Sequence, residues 1–338
     1  MSDKKYNVAV VGATGAVGIE MIKTLEDRDF PIGELTLLAS ARSAGKRVRY
    51  KDEYIAIQEL TKYSFANIDY ALFSAGGNIS EEFAKYAVEA GAVVVDNSSA
   101  FRLDETVPLV VPEVNPEDAF KHKGIIANPN CSTIIMIVVA APLHKAKKLK
   151  RIIASTYQAT SGAGAKGMEE LEIQTQQLLN GEPISPKEFA HRIAFNLIPH
   201  IDVFKENGYT KEELKMTFET RKMLHHPELQ VSCTCVRVPI LRAHSESLNL
   251  EFEDDITPED VREILTNAPG VELKDNIEML EYPMPKDAMN QYDVIAGRIR
   301  QDASRNDKKG IDIFVSGDQI LKGAALNAIQ IVELLISK

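Results

Sequence analysis

The chain has 338 residues, 39 Lys and Arg against 49 Asp and Glu, a formal net charge of -10 and an apolar fraction of 44%. That length predicts about two domains, and an ordinary apolar fraction excludes a disordered or collagen-like chain. An acidic chain is a poor nucleic-acid binder, because such binding needs clustered cations that release counterions. The longest apolar run, Ile134 to Leu143, falls well short of the roughly 20 residues that span a bilayer.

Tyr6 to Val11 is apolar and β-branched and predicts a strand. GATGAVG follows, then a helical pattern from Ile19 to Leu25. Gly12, Gly15 and Gly18 therefore lie between a strand and a helix. There a backbone without Cβ atoms and a helix N-terminus favour a pyrophosphate; a ligand-free βα turn is the alternative. The next predicted strand, Leu35 to Ala39, ends at Ser40, where an NAD enzyme usually carries Asp or Glu for the ribose. Ser40, Arg42, Ser43 and Lys46 suit a 2′-phosphate instead and predict NADP; Lys46 also reads as a solvated loop charge. Strand-like runs at Tyr70 to Ser74, Val93 to Asp96 and Gly124 to Ile126 alternate with a helix over Ser80 to Ala90 that ends at Gly91. This pattern predicts an α/β class and a doubly wound, Rossmann-type parallel sheet.

Beyond residue 130 the pattern changes. Asn128-Pro129-Asn130-Cys131-Ser132-Thr133 places Cys131 at or near the start of an apolar helix. A helix N-terminus can lower a thiol pKa from about 8.5 to between about 3.5 and 7.5. A lone cysteine is more often a small buried hydrophobe, but the polar flank and the helix start favour a nucleophile. A strand over Ile152 to Tyr157 leads into SGAGAKG. Thr210 and Glu213 predict a capped helix. Strands follow at Val231 to Ile240 and Ser247 to Phe252, then a helix from Thr257-Pro258, strands at Val294 to Arg300 and Ile311 to Ser316, and a final helix over about Gln319 to Leu335. The second domain is thus expected to be α+β with a mixed, mostly antiparallel sheet. The expected division is 1–130, joined by the C-terminal helix at 319–338, and 131–318.

Cys233 and Cys235 alternate on one strand face near His225 and His226. A zinc site needs four ligands in workable geometry, so buried structural thiols and no metal are the better reading. Three cysteines and an N-terminus without an apolar signal core predict a cytoplasmic protein.

GATGAVG, SARSAGK, NPNCST, STYQATSGAG, VRVPILRAHSES and DQILKGAALN occur in this order. Together they resemble the aspartate-β-semialdehyde dehydrogenase family, of its shorter bacterial type, from Tyr6 to about Leu335. The resemblance implies NADP-dependent, reversible conversion of L-aspartate-β-semialdehyde and phosphate to aspartyl-β-phosphate. The reverse direction serves lysine (through diaminopimelate), threonine and methionine biosynthesis. It also implies the roles of particular residues. Cys131 is the nucleophile that forms a thioester, His244 the general acid/base, and Gln158 orients the thioester. Arg237 binds the substrate α-carboxylate, with Glu212 also at the substrate. Arg102, Asn130 and Lys215 bind phosphate. Gly12, Thr14, Gly15, Ala16, Val17, Ser40, Arg42, Ser43, Ser161, Gly162, Gln319 and Asn327 hold the cofactor.

Arg237 and His244 are seven residues apart. One regular strand would put them on opposite faces, so a bend or bulge near Pro239 is expected. Read without the resemblance, Glu212 and Lys215 are an ordinary surface pair three residues apart on a helix. The family implies a homodimer or pair of dimers, although the stretch of about 168–200 does not align securely with its interface segment. N-acetyl-γ-glutamyl-phosphate reductase shares the fold and the Cys/His logic, but Asn130 and Ser132 depart from its cysteine motif. The glycine turn argues against a nucleotide-free thiol hydrolase, and the full set of chemical residues argues against a non-catalytic NADP sensor.

Overall fold

The structure is a computed structural model and describes residues 4–337. The chain forms two compact units, one running up to Asn130 and resuming at Ala324, the other spanning Cys131–Gly323.

The first unit runs β1 (Tyr6–Val11), α1 (Ala16–Asp27), β2 (Ile32–Ala39), β3 (Arg47–Tyr50), β4 (Glu53–Glu59), β5 (Tyr70–Phe73), α2 (Gly77–Glu89), β6 (Val93–Asp96) and β7 (Ile125–Ala127). Its seven strands are ordered β3-β4-β2-β1-β5-β6-β7. All neighbours pair in parallel except β3 and β4. Successive side chains of a strand point to opposite faces, and both faces are covered here. Val8 and Val10 of β1 pack with Met21, Ile22 and Leu25 of α1. Ala9 and Val11 pack on the other side with Phe73 and with Ala84 and Ala87 of α2. Double coverage explains the uninterrupted apolar runs. The β3–β4 hairpin escaped the sequence reading because its side chains are mostly exposed and Arg47, Arg49, Glu53 and Glu59 break its apolar runs. The helix α1 begins three residues earlier than expected because Gly15 is its cap.

The second unit runs α3 (Cys131–Ala146), β8 (Leu149–Gln158), α4 (Gly164–Leu179), α5 (Lys211–Met223), β9 (Gln230–Arg237), β10 (His244–Phe252), α6 (Pro258–Thr266), β11 (Val271–Leu273), α7 (Pro285–Ala288), β12 (Val294–Gln301) and β13 (Gly310–Gly317). Its sheet is ordered β11-β12-β13-β10-β8-β9. Three of its five pairings are antiparallel and two parallel, so it is mixed and mostly antiparallel as expected. Nearly every residue of α3 from Ser132 to Leu143 is buried, which accounts for its lack of a polar stripe. The predicted capping box forms between Thr210 and Glu213 on α5, and a second one joins Thr257 and Asp260 on α6. The helix α4 was not foreseen, because the glycines at its start mask it.

One expectation is corrected. The strand expected over Val231 to Ile240 stops at Arg237, and the expected bend is present at Pro239, outside any strand. The Val238 N–H donates to Gln158 O, and the chain then crosses to begin β10 at His244. Arg237 and His244 therefore lie on two strands flanking β8, and the two-residue alternation that holds along one strand does not apply. Directly opposed residues on neighbouring strands share a face.

The expected final helix is also two elements. Leu321–Ala325 forms a π-helical turn, and α8 (Leu326–Ile336) continues from it. The Asp318 carboxylate accepts from the Ile320 and Leu321 N–H groups at 3.0 and 3.2 Å and so fixes the start. Among the described residues no helix is long and apolar enough to cross a membrane.

Candidate active site

In the first unit the glycine turn opens onto a cavity of about 520 Å³ lined by Gly12, Thr14, Gly15, Ser40, Ser74, Ala75, Ile79 and Phe83 among others. Gly12 has φ +89°, and a Cβ there would lie 2.9 Å from Ser74 C and O; a Cβ on Gly18 would collide with Gly12 O. Only glycines let the turn pack this closely on the end of β5, leaving the α1 N-terminus to face the cavity. The cradle fits a dinucleotide phosphate. Four of the residues expected at the cofactor line the cavity: Gly12, Thr14, Gly15 and Ser40. Ala16, Val17, Arg42 and Ser43 do not. Arg42 and Ser43 sit on a short 3-10 turn directly after Ser40. Ser74, Ala75, Ile79 and Phe83 were missed because they belong to no dinucleotide motif; the pairing of β5 beside β1 brings them to the cavity.

Asn327 donates from its amide to Val110 O at 3.0 Å and Asn128 Oδ1 at 2.6 Å, which ties α8 to the loop before Cys131. Arg102 is buried in the same unit. It donates to Asn128 O and Asn97 O, both at 2.9 Å.

In the second unit three expected residues form one row across the sheet. Gln158 of β8 lies opposite Arg237 of β9. On its other side the antiparallel register Ser245↔Tyr157 brings His244 level with it. All three are buried. One backbone residue fixes two of them: the Ala159 N–H donates to His244 Nδ1 at 3.0 Å, and Ala159 O accepts from Arg237 Nη1 at 2.7 Å. With Nδ1 accepting, the neutral ring carries its proton on Nε2, which has no partner among the described residues. Burial first, and the Arg237 charge second, hold His244 well below the usual histidine range. A Cβ on Gly162 would lie 2.6 Å from Arg237 Nη1 and 3.3 Å from His244 Nε2, so the loop backbone there passes close to both. Gln319 accepts from the Ala243 N–H at 2.8 Å and donates to Ser161 Oγ, bracing that loop.

Cys131 is the first residue of α3 and is a reduced, partly exposed thiol. It interacts electrostatically with Arg237. The π-helical turn presses on it, since a Cβ on Gly323 would lie 2.9 Å from Cys131 Cβ. We expect Gly323→Ala to lower kcat about 10²-fold by displacing the sulfur by a fraction of an ångström. Steady-state rates and the alkylation rate of Cys131 measure this; a wild-type kcat would mean that the contact is slack.

Glu212 and Lys215 are not the surface pair that spacing alone suggested. Glu212 is buried; it accepts from Gln158 Nε2 at 3.2 Å and from Lys215 Nζ at 3.1 Å. Lys215 also donates to Asp202 at 2.8 Å. Burial opposes the charge on Lys215, but Glu212 and Asp202 outweigh it and raise its pKa. Cys233 and Cys235 are buried, and desolvation pushes both thiols far up, which keeps them protonated and works against metal ligation. Arg102 and Asn130 belong to the first unit, and Lys215 to the second.

Two family models match the chain: "Semialdehyde dehydrogenase, NAD binding domain" over residues 7–122 and "Semialdehyde dehydrogenase, dimerisation domain" over residues 140–322. An aspartate-semialdehyde dehydrogenase from Aquifex aeolicus is 53% identical over 98% of both chains. One from Bacillus subtilis is 52% identical over 97% of both. The crystal structure of aspartate semialdehyde dehydrogenase II from Vibrio cholerae, complexed with ASA, superposes with a TM-score of 0.96 at 46% identity over 99% of each chain. A structure from Candida albicans with NADP aligns with a TM-score of 0.75 at 26% identity over 98% of each. With its dinucleotide cradle, its cysteine at a helix start and its row of buried polar side chains, the chain belongs to the aspartate-semialdehyde dehydrogenase family.

Proposed function

We propose that the chain is an NADP-dependent, phosphorylating aspartate-β-semialdehyde dehydrogenase of the cytoplasm, working as a homo-oligomer. The observation that carries the reading is the row His244–Gln158–Arg237 in the unit that begins with Cys131.

The Cys131 sulfur attacks the aldehyde carbon and ends as a thioester, dividing a hard oxidation into two easier steps. When bound, the dinucleotide supplies the hydride acceptor. His244 presents Nε2 to the reacting oxygen, Gln158 orients the thioester carbonyl, and Arg237 offers its planar fork to the substrate carboxylate. Arg102, Asn130 and Lys215 hold the phosphate that releases the acyl group. Ser40, Arg42 and Ser43, in place of an acidic residue after β2, support NADP over NAD. Exposed apolar side chains of the second unit, Leu179, Phe195, Leu197, Val203 and Phe204, support an interface between copies of the chain.

The test is dinucleotide reduction by the purified protein with aspartate semialdehyde, with and without phosphate, using NADP and NAD in parallel. Phosphate-dependent reduction that prefers NADP is expected. Turnover of N-acetylglutamate semialdehyde instead would overturn the substrate, and turnover indifferent to phosphate would overturn the reaction. Arg237→Lys is expected to raise KM for the aldehyde about 10- to 100-fold with kcat changed less, since a hydrogen bond to a charged group contributes about 1.5–3 kcal/mol. A KM within twofold of wild type would remove Arg237 from substrate binding.

A further inference from the structure

Asp318 follows β13 directly and is fully buried. The reaction described above gives it no part. Its two carboxyl oxygens have different partners. Oδ1 accepts from the Ile320 and Leu321 N–H groups and holds the start of the π-helical turn. Oδ2 accepts from Arg242 Nε and from the Asn290 N–H, both at 2.7 Å. Arg242 lies in the segment that crosses from β9 to β10, two residues before His244. Between them Ala243 has φ +74°, a left-handed conformation that few L side chains adopt. Such a conformation persists only where its surroundings over-determine it. Here Gln319, next to Asp318, accepts from the Ala243 N–H, and His244 pairs with Gly317 on β13.

We propose that Asp318 is a positioning residue that sets the Cys131 nucleophile and the His244 imidazole relative to each other. The inference rests on the function proposed above. One oxygen acts toward Cys131. Oδ1 holds Ile320 and Leu321, and the main-chain O of Asp318 accepts from the Gly323 N–H at 3.0 Å. The π-helical turn so anchored keeps Gly323 against Cys131 Cβ. The other oxygen acts toward His244. Oδ2 pins the Arg242 guanidinium through a charge-assisted hydrogen bond. That keeps the crossing segment in the left-handed turn from which His244 enters β10. One carboxylate serves both segments because its two oxygens share a carbon, which fixes the separation of what they hold. A misplacement of about 1 Å between reacting groups can cost about 100-fold in rate, so a common anchor for two groups on different elements has a direct effect on turnover.

The experiment compares full-length wild type, Asp318→Asn, Asp318→Ala, Arg242→Met and the double variant combining Asp318→Asn with Arg242→Met. It reads kcat and KM in the phosphate-dependent assay, and the rate of Cys131 alkylation by iodoacetamide without substrates. Cys233 and Cys235 are buried and do not compete for the reagent. An amide oxygen can still accept from Ile320 and Leu321, but the amide nitrogen cannot accept from Arg242. D318N and R242M should therefore each lower kcat about tenfold. Their KM for the aldehyde should change little, because Ala159 O still holds Arg237, and their alkylation rates should stay close to wild type. The double variant should be no worse than D318N, because both cut one link. Alanine removes both oxygens. D318A should lower kcat about 100-fold and slow alkylation severalfold, since the sulfur loses its fixed place in the field of Arg237. Thermal unfolding identifies loss of fold. R242M leaves the carboxylate its backbone donors at Asn290, Ile320 and Leu321, so R242M and D318N decide the matter if D318A does not fold.

Wild-type kcat in R242M and D318N would overturn the proposal, as would losses that multiply in the double variant. Alkylation slowed as much in D318N as in D318A would overturn it too, because the two oxygens would then not act on separate segments. An inactive wild type would overturn the functional reading and this inference together. An active wild type whose R242M and D318N variants keep full kcat would overturn the inference alone.

Discussion

Cys131→Ser is expected to lower kcat by roughly 10⁴- to 10⁶-fold, the range seen when a covalent nucleophile is removed. Three features concentrate reactivity at this sulfur. Cys131 opens α3, whose buried apolar body fixes its first turn against the sheet. It interacts electrostatically with the buried Arg237 guanidinium. The close approach of Gly323 limits where the sulfur can sit. Serine fits the same space, since the crowded atom is Cβ and both residues share it. The substitution therefore tests chemistry and leaves packing alone. At neutral pH a serine hydroxyl lacks the reactive ionised fraction that a thiol has. Near-UV circular dichroism and dinucleotide binding of the variant should match wild type. A variant that keeps more than a tenth of wild-type kcat would show that no thioester forms at Cys131. The other two cysteines offer no substitute, because burial keeps their thiols protonated.

Much of this architecture is legible in the chain because the signals are local. The Gly12 turn, the helix start at Cys131 and the Thr210 and Thr257 caps each depend on a few adjacent residues with a direct physical reason. Other features are set by partners distant in sequence. His244 and Arg237 could not be joined by counting along one strand, since β8, about eighty residues earlier, supplies the row between them. Ala159 fixes both through its backbone, and no side-chain pattern announces a backbone hydrogen bond. Gly323 fell inside the expected final helix, and only the π-helical turn places it on Cys131. The family motifs carried the site residues further than composition or periodicity could.

His244→Asn is expected to lower kcat by about 10²- to 10⁴-fold, the usual contribution of a positioned proton-handling group, with KM for the aldehyde changed less than threefold. Asparagine is the informative replacement because its Oδ1 can accept from the Ala159 N–H in place of Nδ1, while nothing reaches the position of Nε2. Arg237, held by Ala159 O, should then stay in place, and the loss reports on Nε2 alone. Stability gives an independent reading. The folded-state pKa of His244 is depressed, chiefly by burial, whereas an unfolded histidine protonates near about 6.5. Below that pH the unfolded chain binds a proton that the folded chain does not. Wild-type stability should therefore fall as pH drops from about 6.5, by up to about 1.4 kcal/mol per pH unit from this residue. The Asn variant lacks that contribution, so its unfolding free energy between pH 7 and pH 5 should decline less steeply than that of wild type. Parallel stability curves would mean that His244 is not held neutral, and a kcat within tenfold of wild type would remove Nε2 from the reaction.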